Sequence, residues 1–148
     1  MNYRAVDLAE YLVKKCDEDR NPISNLQLQK ILYYIQYEFL TKKNYCAFSD
    51  DIEAWKFGPV VPNVYYRFCG SGGMPITLTV FFKPYEALNF DKNNKKLIDS
   101  IVEEKRELDP WDMVEETHKE GKAWHTVYDG GRGAREVIPV SLIKEKGL

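Results

Sequence analysis

The strongest hydrophobic periodicity lies in the N-terminal third of the chain. Between residues 3 and 19, apolar side chains recur at helical spacing with charged side chains between them, which predicts an amphipathic helix ended near Pro22. Ser24 and Gln27 have the spacing of a capping box, so a second helix is predicted to begin there and to run to about Lys42. Its predicted buried stripe consists of Leu28, Ile31, Leu32, Ile35 and Phe39.

Shorter elements are predicted after the second helix. Residues 51 to 55 alternate polar and apolar side chains as a half-buried strand does, and Gly58-Pro59 is predicted to end that strand. Pro62 suits the first turn of a short third helix, which would end before the glycine-rich loop at residues 70 to 73. Residues 76 to 85 are predicted to form a further strand, restricted to a sheet edge by its proline.

Helix-start signals recur in the C-terminal half. Asp91 or Asn93 is predicted to cap a fourth helix, and Asp109-Pro110 is predicted to start a fifth that runs to Glu120. The apolar segment from Val137 to Val140 then precedes a last short helical turn, for which Ser141 is the expected cap.

These elements predict a mainly α fold. Short alternating segments cannot stand alone, so the strand around Trp55 is predicted to pair with the segment from Val137 to Val140. With 148 residues, 44% of them hydrophobic and 30% charged, the chain has the size and composition of one soluble globular unit. We therefore expect a single compact helical domain over residues 1–148 with a small antiparallel β element.

Charge and cysteine content restrict the function classes. Twenty-one basic and 23 acidic residues give a net charge of -2, which argues against nucleic acid as the main partner. The chain has no apolar run long enough for a membrane span and no signal-peptide pattern. Its three cysteines, Cys16, Cys46 and Cys69, are widely spaced, which favours the cytoplasm and argues against a disulfide framework or a zinc site.

The two histidines are the residues most suited to acid–base chemistry. His118 and His125 lie near several glutamates, but their spacing is not that of a metal motif, so a structural role for His118 is the main expectation. A small hydrolase or nuclease that uses His118 with a nearby carboxylate stays open as the alternative. The glycine-rich segments at 70 to 73 and 130 to 133 lack the surroundings of a phosphate loop, and no cofactor or metal is predicted.

Aromatic residues make up 14% of the chain, which adds weight to partner binding. The flank of the second helix opposite its buried stripe is polar and aromatic, and with the Trp55 to Pro59 segment beside it we expect one exposed patch. The helix residues of this predicted patch are Gln29, Lys30, Tyr33, Gln36 and Tyr37. The other interpretation places Tyr33 and Trp55 in the core.

Two further features have open interpretations. The three tryptophans, Trp55, Trp111 and Trp124, are expected mainly to anchor the core, although contact with a partner remains compatible with that role. The segment from Glu103 to Glu120 has eight acidic residues against three basic ones. This segment forms either a solvated helix face or a surface that attracts a basic partner.

Three segments together resemble one family. They are residues 23 to 34 with Leu-Gln-Lys, residues 52 to 62 with Ala-Trp-Lys-x-Gly-Pro-Val, and Thr117-His118 followed by Trp124. In this order they are similar to the Panacea domain, also described as the SocA-like antitoxin or phage-associated GepA-type domain. The chain departs from the family pattern at Ala123, where proline often precedes the tryptophan.

The resemblance implies a cytoplasmic, bacterial or prophage-encoded antitoxin without enzymatic activity. Its implied partner is a cognate toxin protein, which it neutralises by direct binding, with delivery to a protease complex as a further route known in the family. A DNA-binding phage regulator is the remaining alternative, which the single base between residues 28 and 39 disfavours. The residues assigned to partner binding are Gln29, Lys30, Tyr33, Tyr37, Trp55, Lys56, Tyr65, His118 and Trp124.

Overall fold

The computed structural model describes residues 2–77 and 90–148, in which α-helices predominate. The helices are α1 (Ala5–Glu18), α2 (Asn25–Lys42), α3 (Pro62–Phe68), α4 (Lys92–Lys105), α5 (Pro110–Thr117), α6 (Ala123–Tyr128) and α7 (Val140–Lys146). The strands β1 (Glu53–Trp55) and β2 (Gly58–Val60) form a small antiparallel hairpin. The predicted mainly α class with a small antiparallel β element is confirmed, and the predicted strand at residues 76 to 85 falls largely outside the described residues.

The helix α2 lies at the centre of the fold. The helices α1, α3, α4, α5 and α7 and the strand β2 all contact it, and its predicted apolar stripe is fully buried. Its polar flank is buried as well, because neighbouring elements cover α2 on more than one side. Gln29, Lys30, Tyr33 and Gln36 are each at most 2% exposed, so the prediction that they form an exposed patch is wrong.

Both hydrogen bonds of the predicted capping box are present at the N-terminus of α2. The Gln27 backbone N–H donates to Ser24 Oγ at 3.2 Å, and the Ser24 backbone N–H donates to Gln27 Oε1 at 2.9 Å. Each bond satisfies a backbone group that the helix itself leaves without a partner.

We expect Ser24→Ala to lower the free energy of unfolding by about 1 kcal/mol, because it removes the side-chain acceptor of this cap. Urea denaturation measures the loss. Ser100→Ala is the matched control, since Ser100 lies exposed within α4 and caps no helix. Equal stability of the two variants would contradict the capping role.

The hairpin differs from its predicted form in one respect. Trp55 pairs with Gly58, so Gly58-Pro59 does not terminate the β element but begins its second strand. The predicted pairing with the C-terminal segment is also present, on the free edge of β1. There the Ala54 N–H donates to the Glu136 carbonyl at 2.8 Å, and Glu53 forms an antiparallel bridge with Val137.

Two predicted helix boundaries are wrong. The helix α5 ends at Thr117 rather than Glu120, and the chain then turns through Gly121, whose φ is +81°. The helix α7 begins after Pro139, which places Ser141 inside the helix rather than at its cap. None of the described helices combines the length and apolarity that crossing a bilayer requires.

Candidate functional site

Polar side chains of α2 hold the hairpin and α3 in place. Gln29 Oε1 accepts the Val61 N–H at 2.9 Å, and its amide nitrogen donates to Asn25 Oδ1 at 3.0 Å. Asn25 Nδ2 in turn donates to the Tyr65 carbonyl at 3.1 Å. These buried amides satisfy backbone groups that would otherwise lose hydrogen bonds on burial. Gln29 therefore has a structural role, because its side chain bonds groups within the fold.

Lys30 is the ionisable group at the centre of this network. Its side chain is fully buried, and Nζ donates to the Phe57 carbonyl oxygen in the hairpin turn. Burial lowers the pKa of this amine from 10.5 to about 7, because the protein interior solvates the charged form poorly. Lys30 thus joins α2 to the hairpin through one hydrogen bond and close packing.

Gly58 is the hairpin residue against which the Lys30 side chain packs. Its φ is +118°, a conformation that side chains rarely adopt, and a Cβ atom there would lie 2.1 Å from Lys30 Nζ. The close approach therefore requires glycine for two reasons, the backbone conformation and the space taken by the lysine. Thr117 Oγ1 of α5 would lie 3.2 Å from the same Cβ position.

The ring of Trp124 in α6 packs against the hairpin and completes the network. Its indole N–H donates to the Trp55 carbonyl at 2.7 Å, and the ring is only 5% exposed. The His118 ring stacks on it with a centroid distance of 3.6 Å. Trp124 therefore joins the hairpin to α6 from a buried position, so the core role expected for it is confirmed.

His118 has surroundings that differ from those of a catalytic dyad. Burial first, and then the charge of Lys30, lower the pKa of its imidazole. Within the described part of the chain, His118 Nε2 is buried, the Phe57 backbone is the polar group that partly offsets the lowering of its pKa, and no ion pair joins the imidazole to a carboxylate. In the same residues, no group of three or more His, Cys, Asp or Glu side chains could hold a metal ion.

An open cleft of about 560 Å³ lies next to this network. Residues of the hairpin, α2, α3, α5, α6 and the segment before α7 line it. Aromatic rings, small residues and cations make up most of its lining. The lining residues are Asn25, Leu26, Gln29, Lys30, Trp55, Lys56, Phe57, Val60, Tyr65, Cys69, Gly72, Gly73, Trp111, Tyr128, Ala134 and Arg135. We call this the hairpin cleft.

An exposed pair of aromatic side chains forms one rim of the hairpin cleft. Phe57 at the hairpin turn is 51% exposed, and Trp111 in the first turn of α5 is 57% exposed. Their rings meet edge to face, with centroids 5.7 Å apart. Trp111 is therefore a surface residue, and the expectation that it anchors the core is wrong.

The other rim is a cluster of aromatic rings with an arginine. The Trp55 ring meets Tyr65 and Tyr66 at centroid distances of 4.9 and 6.0 Å. The Arg135 guanidinium lies over the Trp55 ring, 4.2 Å from its centroid, and donates to Tyr66 Oη at 3.4 Å. Tryptophan, tyrosine and arginine are the side chains that contribute most of the binding energy at protein interfaces.

The charge of the hairpin cleft has one sign. Lys30, Lys56 and Arg135 are among its described lining residues, and no aspartate or glutamate is. The Glu53 carboxylate on β1 instead accepts the Trp55 indole N–H at 2.9 Å. The cleft therefore offers apolar surface together with positive charge.

The residues assigned to partner binding from the sequence separate into two groups. Gln29, Lys30, Trp55, Lys56 and Tyr65 line the cleft, whereas Tyr33, Tyr37, His118 and Trp124 do not.

Burial divides them further. Gln29, Lys30, Tyr33 and Trp124 are buried, and Tyr33 donates through its hydroxyl to the Gly147 carbonyl rather than facing a partner. Tyr37 is half-buried close to the same C-terminal segment. Direct contact from the exposed surface is open to Lys56 and to the half-buried Trp55 and Tyr65.

Sequence reasoning missed three contributors to the rims, namely Tyr66, Trp111 and Arg135, whereas Phe57 lies within the Trp55 to Pro59 segment of the predicted patch. The position of Trp111 directly after Pro110 was a usable signal, since first-turn side chains often face solvent. Arg135 had no such signal, because its place depends on the pairing of its backbone with β1.

The elements that build this site have the chain order and sequence motifs of a recognised family. A family model described as "Antitoxin SocA-like, Panacea domain" matches residues 28–125, from the start of the Leu-Gln-Lys motif on α2 to the residue after Trp124. The chain therefore belongs to the SocA-like, Panacea-domain family of antitoxins, and the resemblance inferred from the sequence is confirmed.

A curated relative supports the same assignment. The chain is 45% identical over 65 residues to the antitoxin SocA of Caulobacter vibrioides (strain NA1000 / CB15N). The aligned region covers 44% of this chain and 35% of the relative, so the chain matches about a third of that protein's length. No solved structure matches the chain.

Proposed function

We propose that this chain neutralises a toxin protein by binding it directly, with the hairpin cleft as the docking site. Membership of an antitoxin family supports the class of partner. The observation that carries the choice of site is the exposed Phe57–Trp111 pair at the edge of an open, apolar cleft. On this proposal the chain acts in the cytoplasm and uses no cofactor.

The energetics of protein interfaces favour this site. Binding energy concentrates in a few tryptophan, tyrosine and arginine side chains that become desolvated on contact. Trp55, Tyr65, Trp111 and Arg135 supply these side chains around one concave surface. Folding alone does not account for the exposed face of Trp111, because its ring contact with Phe57 leaves more than half of its surface in water.

Co-expression tests the proposal. The gene beside the one that encodes this chain is expressed alone and together with it, and growth is followed. We expect the neighbouring gene to inhibit growth alone, the chain to restore it, and the two purified proteins to form a stable complex. Direct binding would be contradicted if the chain restored growth by modifying the toxin or its target and the two proteins formed no complex.

The same experiment separates two routes of neutralisation. Toxin abundance is measured in cells with and without the chain. Unchanged abundance with a stable complex indicates occlusion, whereas accelerated loss of the toxin indicates delivery to a protease. Both routes require the complex, so both depend on the docking site.

We expect Trp111→Ala to weaken the complex by at least thirtyfold, since removal of an interface hot spot costs about 2 kcal/mol or more. The melting temperature should change little, because the Trp111 side chain is mostly exposed. Val140→Ala, which truncates an exposed apolar side chain outside the cleft, should leave affinity unchanged. Equal affinities of the two variants would place the docking site elsewhere.

A further inference from the structure

We propose that the hairpin cleft recognises an acidic segment of the partner protein that also carries a large apolar side chain. The apolar side chain rests against the Phe57–Trp111 pair, and the neighbouring carboxylates bind Lys56 and Arg135. This inference rests on the proposed function, because it states the chemistry of the toxin segment that enters the docking site.

The first argument concerns the partners of the two rim cations. Among the described residues, Lys56 has its ammonium near the Phe57 ring, and neither Lys56 nor Arg135 forms a salt bridge. Some surface cations are paired, as Lys95 is with Asp99 at 2.8 Å, and others, such as Lys92 and Lys96, form no salt bridge among the described residues either. Lys56 and Arg135 differ from these because they line an apolar cleft. Two exposed cations without an internal carboxylate, on one apolar cleft, are complementary to carboxylates from outside.

The second argument concerns the backbone of Arg135. Its φ is +68°, an uncommon conformation for a residue with a side chain, and its N–H donates to the Ala54 carbonyl at 2.7 Å. This bond fixes the strained residue to the edge of β1, where its guanidinium lies over Trp55. Strain that is held in place by surrounding structure is typical of binding sites. A stacked guanidinium also keeps its planar edge available for a carboxylate.

The third argument favours a protein over a nucleic acid. A nucleic-acid strand also has negative charge and flat rings that stack, so it matches the lining in part. However, Asp109 and Asp112 flank Trp111, and the net charge of the chain is -2. A strand with a phosphate on every nucleotide would meet these carboxylates, whereas a short protein segment can place its few acidic side chains at Lys56 and Arg135 and its apolar side chain against the Phe57–Trp111 pair.

Synthetic peptides test this chemistry with the full chain. We would measure fluorescence anisotropy of three labelled twelve-residue peptides, namely an acidic one with a central tryptophan, an acidic one with alanine instead, and a basic one with tryptophan. A labelled twelve-nucleotide oligo-dT is the fourth probe. We expect the acidic tryptophan peptide to bind at least tenfold more tightly than each of the others. Preference for the basic peptide or for oligo-dT would overturn the proposal.

Charge reversal shows whether this binding uses the cleft. Arg135→Glu and Lys56→Glu should each weaken the acidic tryptophan peptide at least tenfold. Lys96→Glu is the matched control, because Lys96 is exposed, forms no salt bridge among the described residues and does not line the cleft. Circular dichroism and melting temperature verify that each variant is folded. Equal losses in the control and the cleft variants would overturn the proposal.

The same variants distinguish this inference from the proposed function. If Arg135→Glu and Lys56→Glu still bind and neutralise the toxin as the parent chain does, the acidic-segment inference fails while the antitoxin function stands. If the parent chain prefers the acidic peptide but neutralises no neighbouring toxin, the proposed function fails while the specificity of the cleft stands.

Discussion

Gly58→Ala is expected to lower the free energy of unfolding by about 2 to 5 kcal/mol, the largest effect of any single methyl group discussed for this chain. Two costs add at this position. A left-handed backbone costs a residue with a Cβ about 1 to 2 kcal/mol, and overpacking of a close contact costs about 1 to 3 kcal/mol. Lys30 Nζ is the atom that the new methyl group would meet, and displacing it would break its hydrogen bond to the Phe57 carbonyl.

Gly121→Ala is the matched control for Gly58→Ala. Gly121 also has a positive φ, +81°, but a Cβ there would meet no atom within 4 Å. It should therefore show the backbone cost without the packing cost. Chemical denaturation of both variants measures the difference, which we expect to be about 1 to 3 kcal/mol. Equal losses would contradict the close contact between Lys30 and Gly58.

The second large effect is a pH dependence of stability that originates at Lys30. Its pKa in the folded chain is about 7, against an ordinary value of 10.5. Between these values the unfolded chain binds a proton that the folded chain does not, so stability increases with pH. The slope approaches about 1.4 kcal/mol per pH unit, which amounts to about 2 to 3 kcal/mol between pH 7 and 9.

The difference between the parent chain and Lys30→Met isolates this contribution. The buried Cys16, whose pKa is raised, titrates in both proteins and cancels. Removal of Lys30 changes the pKa of His118, but burial keeps that pKa below its ordinary value of 6.5, so the imidazole is mostly neutral over this pH range. We expect the difference in unfolding free energy, parent minus variant, to rise steadily from pH 7 to 9 in urea denaturation series. A difference that stays constant with pH would mean that the Lys30 amine keeps an ordinary pKa.

The sequence predicts the helices well where periodicity and caps agree. The capping box at Ser24, the apolar stripe of α2 and the start of α5 at Asp109-Pro110 are all present in the structure. These features depend on interactions within a few residues, which a single sequence specifies. The family motifs added what periodicity could not, namely the family to which the chain belongs.

The candidate site was harder to predict, because burial of a polar side chain depends on distant parts of the chain. Gln29 and Lys30 have the composition of a surface flank, yet the hairpin and α3 cover them. The buried amide and amine are stabilised by backbone groups that lie 27 or more residues away in the chain. The sequence contains both Lys30 and Gly58, but their contact can be recognised only in the folded structure.

In the proposed docking site, the residues that support the fold differ from those that face outward. Buried residues such as Gln29, Lys30 and Trp124 hold the hairpin against α2 and α6, whereas Trp111 and Arg135 face outward. Substitutions in the first group should act mainly through stability, and substitutions in the second mainly through affinity. This division predicts that partner preference can change at the rim without loss of the fold.

Hydrogen–deuterium exchange of the chain, alone and in complex with the proposed toxin partner, tests the location of the proposed docking site most directly. We predict slower exchange on binding at residues 55 to 58, 111 to 113 and 134 to 136, which surround the hairpin cleft. Amides in α4, which lies outside the cleft lining, should exchange at the same rate in both states. Protection confined to α1 and α4, with unchanged exchange around the hairpin, would contradict the central claim.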